Sequence, residues 1–266
     1  MSWVTGPLLG LDTETTGVDI ATDRVVTAAL VRRHAGTTHA RTWLLAPDVD
    51  IPPQATAIHG ISTEHARGHG RPPSEALEEI ATELADAVTA GVPVVAYNAS
   101  FDLGLLEAEL ARHGLPTLRE RLGRDVAPVL DPLVLDRAED GARDGPRRLG
   151  DLCAHYGVAS AGPLHTAEVD VVATLDLLEA IVRRYPHLGD ADLATVHQHQ
   201  IAAVRAWVEG AAARRAARAL AKERADRARL ASAPLLTRLA SRLRSLVARL
   251  RLRSRAARGR TYRPPP

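Results

Sequence analysis

The chain has 266 residues, 45% apolar and 25% charged, which suits one domain with extensions or two small domains and excludes wholesale disorder. Aromatics make up 3%, which argues against base-stacking platforms, and the single cysteine, Cys153, excludes an internal disulfide and a multi-cysteine zinc site. The net charge of +2 hides a division: residues 1–210 hold 17 Lys+Arg and 30 Asp+Glu, a balance of −13, while residues 211–266 hold 17 and 2, a balance of +15.

Leu8 to Leu11 predicts a short buried strand, and Val25–Val31 and Thr37–Leu45 predict two more, with turns at Gly17-Val18-Asp19 and Ala35-Gly36. Pro47–Pro53 reads as a loop, and Ile58-His59-Gly60-Ile61-Ser62 as the opening of a short helical piece. After Pro72-Pro73, Leu77, Ile80, Leu84 and Val88 recur at helical spacing, with Glu75, Glu78 and Glu79 in the early turns. A strand over Val92–Tyr97, a helix over Phe101–His113 stopped by Gly114, and a strand over Val126–Leu130 follow. Residues 137–146, rich in Asp, Gly and Arg, read as a loop, and Arg147–Tyr156 and Thr166–Tyr185 as helices. Three strands in succession and then strand–helix alternation predict an α/β fold around a mixed five-stranded sheet, antiparallel first and parallel second.

Beyond Pro186 the pattern changes. Residues 190–230 are rich in Ala and Arg and helix-forming throughout; 234–258 carries a leucine stripe, and ten arginines without an acid fall between 238 and 263. The expected organisation is a folded domain over 1–185, a helical basic extension over 186–230, and an Arg-rich amphipathic or disordered tail over 231–266. Only Lys222 among the 34 basic residues is lysine; arginine suits phosphate recognition, though a high-GC codon bias gives the same skew. The tail is expected to meet a nucleic acid or an anionic membrane surface. Met1 to Gly6 lacks a basic segment followed by an apolar one, so no signal peptide is expected; with the lone cysteine this points to a reducing, cytoplasmic setting.

The chemistry concentrates in three places. In Leu8-Leu9-Gly10-Leu11-Asp12-Thr13-Glu14, an apolar strand runs into two carboxylates two positions apart, hence on one face. Such a pair repels unless a cation sits between its members, and an all-oxygen set suits Mg²⁺ or Mn²⁺; on this stretch alone a solvated strand end fits equally. Val94 to Asp102 repeats the geometry: a strand, a polar turn, and Asp102 entering a helix. His165 and Asp170 stand five apart, roughly 140° out of line on an ideal helix, so they share a site only if His165 lies in the loop before it. Gly162-Pro163 favours that, with Thr166 as N-cap. His197-Gln198-His199-Gln200 is read as a solvated face rather than a metal run, and Cys153 as a buried small apolar residue.

Asp12-x-Glu14, Asn98-x-x-Phe101-Asp102 and His165-x4-Asp170, in this order, resemble the DEDDh 3′–5′ exonucleases, and within them the proofreading epsilon subunits of bacterial DNA polymerase III. Asp12-Thr13-Glu14-Thr15-Thr16-Gly17 and Ile58-His59-Gly60-Ile61 add to the likeness, which covers roughly residues 8–183. The resemblance implies an RNase H-like sheet and two Mg²⁺ or Mn²⁺ ions, with Asp12, Glu14 and Asp170 on one and Asp12 bridging to the second. It implies that Asp102 helps directly or through water, that His165 is the general base, and that Thr15, Ile58, His59 and Phe101 line the pocket for the terminal nucleotide. Gln54, where relatives often carry Glu, and Val171, where a smaller residue is common, depart from the pattern. The implied activity is metal-dependent hydrolysis at DNA 3′ ends, releasing nucleoside 5′-monophosphates. The alternatives are RNA or oligoribonucleotide trimming, and a replisome-associated binding subunit with little turnover. Single-stranded DNA or DNA 3′ ends and a polymerase or replisome subunit are the expected partners.

Overall fold

A computed structural model describes residues 3–159, 162 and 164–232, with side chains as far as 227. After a 3-10 turn at Trp3–Thr5, strand β1 (Leu8–Thr15) pairs antiparallel with β2 (Val25–His34), and β2 with β3 (Thr37–Leu44). The β2–β3 turn is Ala35-Gly36, with φ of 49° and 77°, a left-handed pair whose twist suits a two-residue hairpin. On the other side of β1, β4 (Val94–Val95) runs parallel to it and β5 (Val129–Leu130) parallel to β4. The order β3-β2-β1-β4-β5 is the expected five-stranded mixed sheet.

The strands differ from expectation in length. β1 continues through both carboxylates because β2 keeps pairing with it, Asp12 opposite Ala29 and Glu14 opposite Thr27, until a register shift between Glu14 and Thr15. β4 and β5 pair over two residues each, because Pro93 and Pro128 bring no N–H to the ladder.

The helices are α1 (Pro53–His59), α2 (Thr63–His69), α3 (Pro73–Thr89), α4 (Ala99–Arg112), α5 (Leu118–Leu122), α6 (Pro132–Glu139), α7 (Leu149–Tyr156), α8 (Ala167–Arg184), α9 (Pro186–Asp190) and α10 (Leu193–Ser232). Ile58–Ser62 is a junction and not the opening of a helix: Gly60, at φ 78°, ends α1, and the Ser62 hydroxyl caps α2 by accepting from the His65 N–H at 3.1 Å. The loop expected to run to Pro53 gives way there to α1, and that expected over 137–146 begins only after α6, which starts at Pro132 behind its N-cap Asp131.

Helices cover both faces of the sheet. Leu9 and Leu11 pack with Leu77, Ile80 and Leu84 of α3 and Leu105 and Leu106 of α4. Leu8, Ala29 and Val31 pack with Val171, Leu175 and Leu178 of α8 and with Leu152 and Cys153 of α7, so Cys153 is the buried apolar residue expected.

The chain divides into two units, the first ending at Arg205 and the second beginning at Ala206. In the first, the opening turns of α10 attach to β5, which corrects the solvated reading of 197–200. His197 Nδ1 lies 3.2 Å from the Val129 N–H, and the buried Gln200 accepts from Asp131 N–H at 2.7 Å and donates to Val129 O at 2.9 Å. His199 is the exposed member, 3.0 Å from Glu139. The second unit is described as the continuation of α10, exposed along nearly all its described length. The leucine stripe of 234–258 and most of the Arg-rich tail lie outside the described residues.

Candidate active site

The two-residue period of β1 sends Leu8, Gly10, Asp12 and Glu14 to the face covered by α8, and Leu9, Leu11 and Thr13 to the face covered by α4. Asp12 and Glu14 therefore look toward α8, whose first turn carries Asp170. Gly10 sets the approach: a Cβ there would lie 2.2 Å from Val171 Cγ1, so the residue beside Asp170 rests on bare backbone. Asp12, Glu14 and Asp170 each offer a carboxylate oxygen, all within 4.8 Å of one another.

Asp102 reaches the same end of β1 from the opposite face. It is buried in the first turn of α4, and its Oδ1 accepts from the Thr13 N–H at 3.0 Å and the Thr13 hydroxyl at 2.6 Å. One oxygen is thus engaged with β1, and Asp102 stands beside the triad. Behind it, the buried Asp131 carboxylate accepts from the N–H groups of Asn98 at 3.1 Å and Ala99 at 3.0 Å, where α4 begins, and of Leu133 at 3.0 Å in α6.

The electrostatics are unfavourable for four bare charges. Burial, followed by repulsion from Asp102, Asp170 and Glu14, pushes the Asp12 carboxyl well above its usual range. Burial and then repulsion from Asp170 and Asp102 push Glu14 up to about 7. Burial raises Asp102 to about 7 against the pull of its Thr13 hydrogen bonds, and raises Asp170 against the pull of His165. A closely spaced all-oxygen donor set whose members resist ionising together fits hard divalent cations such as Mg²⁺ or Mn²⁺.

His165 lies before α8, as its spacing from Asp170 requires. Its φ is 83°, rare for a residue with a side chain, and its backbone N–H donates to both Asp170 oxygens, at 3.1 and 3.2 Å. Thr166 is the N-cap residue by position, but its side chain makes no capping bond. Glu14, Trp43, His59, Ile61, His165 and Glu168 line one cleft of about 380 Å³.

Of the four expected pocket residues, His59 lines this cleft and is buried; its Nδ1 accepts from the Ile61 N–H at 3.2 Å, and its Nε2 has no hydrogen-bond partner among the described residues. Burial lowers its pKa, opposed by the nearby Thr15 backbone. The Thr15 hydroxyl donates to Gly17 O at 2.6 Å, Ile58 is 57% exposed, and Phe101 packs against the core beneath α4. Sequence reasoning missed the parts played by Thr13, Gly10, Asp131, Trp43 and Ile61. A glycine inside an apolar strand signals close backbone approach, and Asp131-Pro132 is a helix-start signature; Thr13 carries no such signal.

The family model described as an exonuclease, RNase_T, matches residues 9–178. The chain belongs to this exonuclease family. Its similarity to a PolC-type DNA polymerase III of Streptococcus suis is 32% identity over 170 residues, 63% of this chain and 10% of that protein. A PolC-type polymerase of Streptococcus sanguinis is 29% identical over 175 residues, 65% of the chain and 11% of the relative. Among solved structures, an Exonuclease I from Methylocaldum szegediense superposes with a TM-score of 0.56 at 26% identity, covering 68% of this chain and 41% of that one. E. coli Exonuclease I in complex with a dT13 oligonucleotide has a TM-score of 0.58 at 24% identity, over 70% and 43% of the two chains, a likeness of fold. The chain thus spans about a tenth of the length of the PolC-type relatives and under half of the Exonuclease I chains.

Proposed function

We propose that this protein is a divalent-metal-dependent 3′–5′ exonuclease that hydrolyses the terminal phosphodiester of single-stranded DNA and releases nucleoside 5′-monophosphates. The observation that carries the reading is the convergence of Asp12, Glu14 and Asp170 within 4.8 Å at a sheet end that also holds Asp102, with His165 in the same cleft. Membership of the exonuclease family supports it, as does the dT13 oligonucleotide held by E. coli Exonuclease I on the same fold.

Asp12, Glu14 and Asp170 would hold the ions, with Asp102, one of whose oxygens is taken by Thr13, assisting from beside them. The ions would supply charge neutralisation at the phosphate and a lowered pKa for water. The His165 imidazole takes the proton of the attacking water, whose oxygen bonds to phosphorus as the bond to the preceding 3′-oxygen breaks, and that oxygen takes a proton from solvent and leaves as a hydroxyl. The double hydrogen bond from His165 N–H to Asp170 fixes the loop that presents the imidazole. His59 and Trp43 form the apolar wall of the cleft against which the terminal nucleotide is held.

Digestion of 5′- and 3′-labelled single-stranded DNA and RNA with Mg²⁺ or Mn²⁺ tests this. Stepwise shortening of the 5′-labelled DNA and release of labelled mononucleotide from the 3′ label are expected, and neither in EDTA. Full activity in EDTA overturns the metal-dependent reading, and faster RNA loss transfers the substrate to RNA.

A further inference from the structure

From Ala206 onward α10 is exposed, and its charge is not spread evenly. At helical periodicity Trp207, Arg214, Arg215, Arg218 and Lys222 fall within an arc of about 100°, while Glu209 and Glu223 lie on the far side and Asp226 borders the arc. Arg214, Arg218 and Lys222 stand at four-residue intervals, about 6 Å apart along the axis. Arg214, Arg215, Arg218 and Lys222 are exposed, and none makes an ion pair with a described residue; Arg227, off the arc, is held by Glu223 at 2.8 Å.

We propose that this stripe is a docking surface for the sugar–phosphate backbone of single-stranded DNA, a second contact besides the acidic site; the choice of polyanion rests on the exonuclease reading above. Charge complementarity carries it. Residues 1–210 carry −13, which repels a polyanion wherever metal does not neutralise it, and the stripe gathers four uncommitted cations just beyond. Arginine forks bind phosphate oxygens with two parallel bonds, and three of the four cations are arginines. A bilayer is the weaker fit. Among the described side chains of this segment, the large exposed apolar ones besides Trp207 are Val208 and Leu220, which lie about 120° apart and make no apolar side there to enter lipid.

The test compares the full chain with a variant carrying R214Q, R215Q, R218Q and K222Q. Glutamine keeps helix propensity, and circular dichroism checks that helicity is retained. Binding to fluorescein-labelled oligo-dT is measured in EDTA, where hydrolysis is absent, across a salt series. With about 0.7 in log–log slope per neutralised phosphate, the variant is expected to bind with a slope shallower by about 3. Replacing the three arginines by lysine should keep most of the slope. A glutamine variant with the wild-type slope overturns the proposal. So does a variant that keeps DNA binding but loses binding to equimolar phosphatidylglycerol–phosphatidylcholine vesicles, which assigns the stripe to membranes. Hydrolysis by the unaltered chain with Mn²⁺ is scored separately. Hydrolysis with an unchanged slope removes the stripe and leaves the exonuclease; a lowered slope without hydrolysis does the reverse.

Discussion

The backbone N–H of His165 bonds both carboxylate oxygens of Asp170, so the base candidate and a candidate metal ligand are tied through the main chain and not through the imidazole. Side chain and backbone roles can therefore be separated. His165→Gly removes the imidazole, keeps the N–H, and suits the φ of 83°. We expect kcat to fall roughly 10²–10⁴-fold, with Mn²⁺ affinity within a few-fold of wild type by calorimetry and a melting temperature no lower than that of His165→Ala. Wild-type turnover across pH would remove His165 from the chemistry.

Gly10 controls how close α8 comes to β1. Gly10→Ala places a methyl 2.2 Å from Val171 Cγ1 and pushes the helix that carries Asp170 outward. Overpacking of this kind costs about 1–3 kcal/mol, and metal affinity should fall with stability because the triad opens. Val171→Ala in the same chain should recover much of both. Thermal melts with and without Mn²⁺ read this, and a Gly10→Ala protein with wild-type metal affinity would show that the helix position does not set the site.

Without metal, the acidic cluster should make stability fall as pH rises. Glu14 goes from its ordinary 4.5 to about 7 on folding, so between those values the folded chain holds a proton that the unfolded chain has released. Stability therefore declines with rising pH across that window and levels off above it. Asp102, raised to about 7, adds the same sign. Melts in EDTA from pH 4.5 to 8 should show the decline, Glu14→Gln should flatten it, and saturating Mg²⁺ should oppose it by binding the ionised native cluster. A rising trend in EDTA shared by wild type and Glu14→Gln would contradict the assignment.

Asp131 holds the start of the helix that carries Asp102. Its carboxylate accepts from Asn98, Ala99 and Leu133 N–H groups, so Asp131→Ala leaves buried donors at the start of two helices. A loss of about 1–3 kcal/mol is expected, with Asp131→Asn milder because an acceptor oxygen remains. As a positioning residue it should lower kcat more than it raises KM, measured on short single-stranded DNA at a temperature where the variant is folded. A change in stability with unaltered kcat would make it structural alone.

The sequence disclosed the sheet because strands β1 to β3 are apolar, successive and separated by turn residues, and helix α3 because its leucines recur at helical spacing. The three-carboxylate cluster was legible through the two-residue period of Asp12 and Glu14 and the family motif around Asp170. Asp102 was legible as a carboxylate entering a helix after a strand and a polar turn, but not its engagement with Thr13, since a hydroxyl pointing to the opposite sheet face meets α4 only once the chain has folded over β1. His197 and Gln200 were misread for a similar reason. Polar side chains on a helix look solvated until the sheet edge they satisfy is known.

That edge has a consequence for how the protein survives in company. β5 is the last strand of the sheet, and the Gln200 amide accepts from one of its peptides and donates to another, as the main chain of a sixth strand would. The exonuclease match ends at residue 178, before this cover begins. A fragment cut at residue 185 would present a bare strand edge to its own copies, the template on which sheets extend from molecule to molecule and precipitate. The opening turns of α10 thus occupy the positions on β5 where a strand of another copy would otherwise pair.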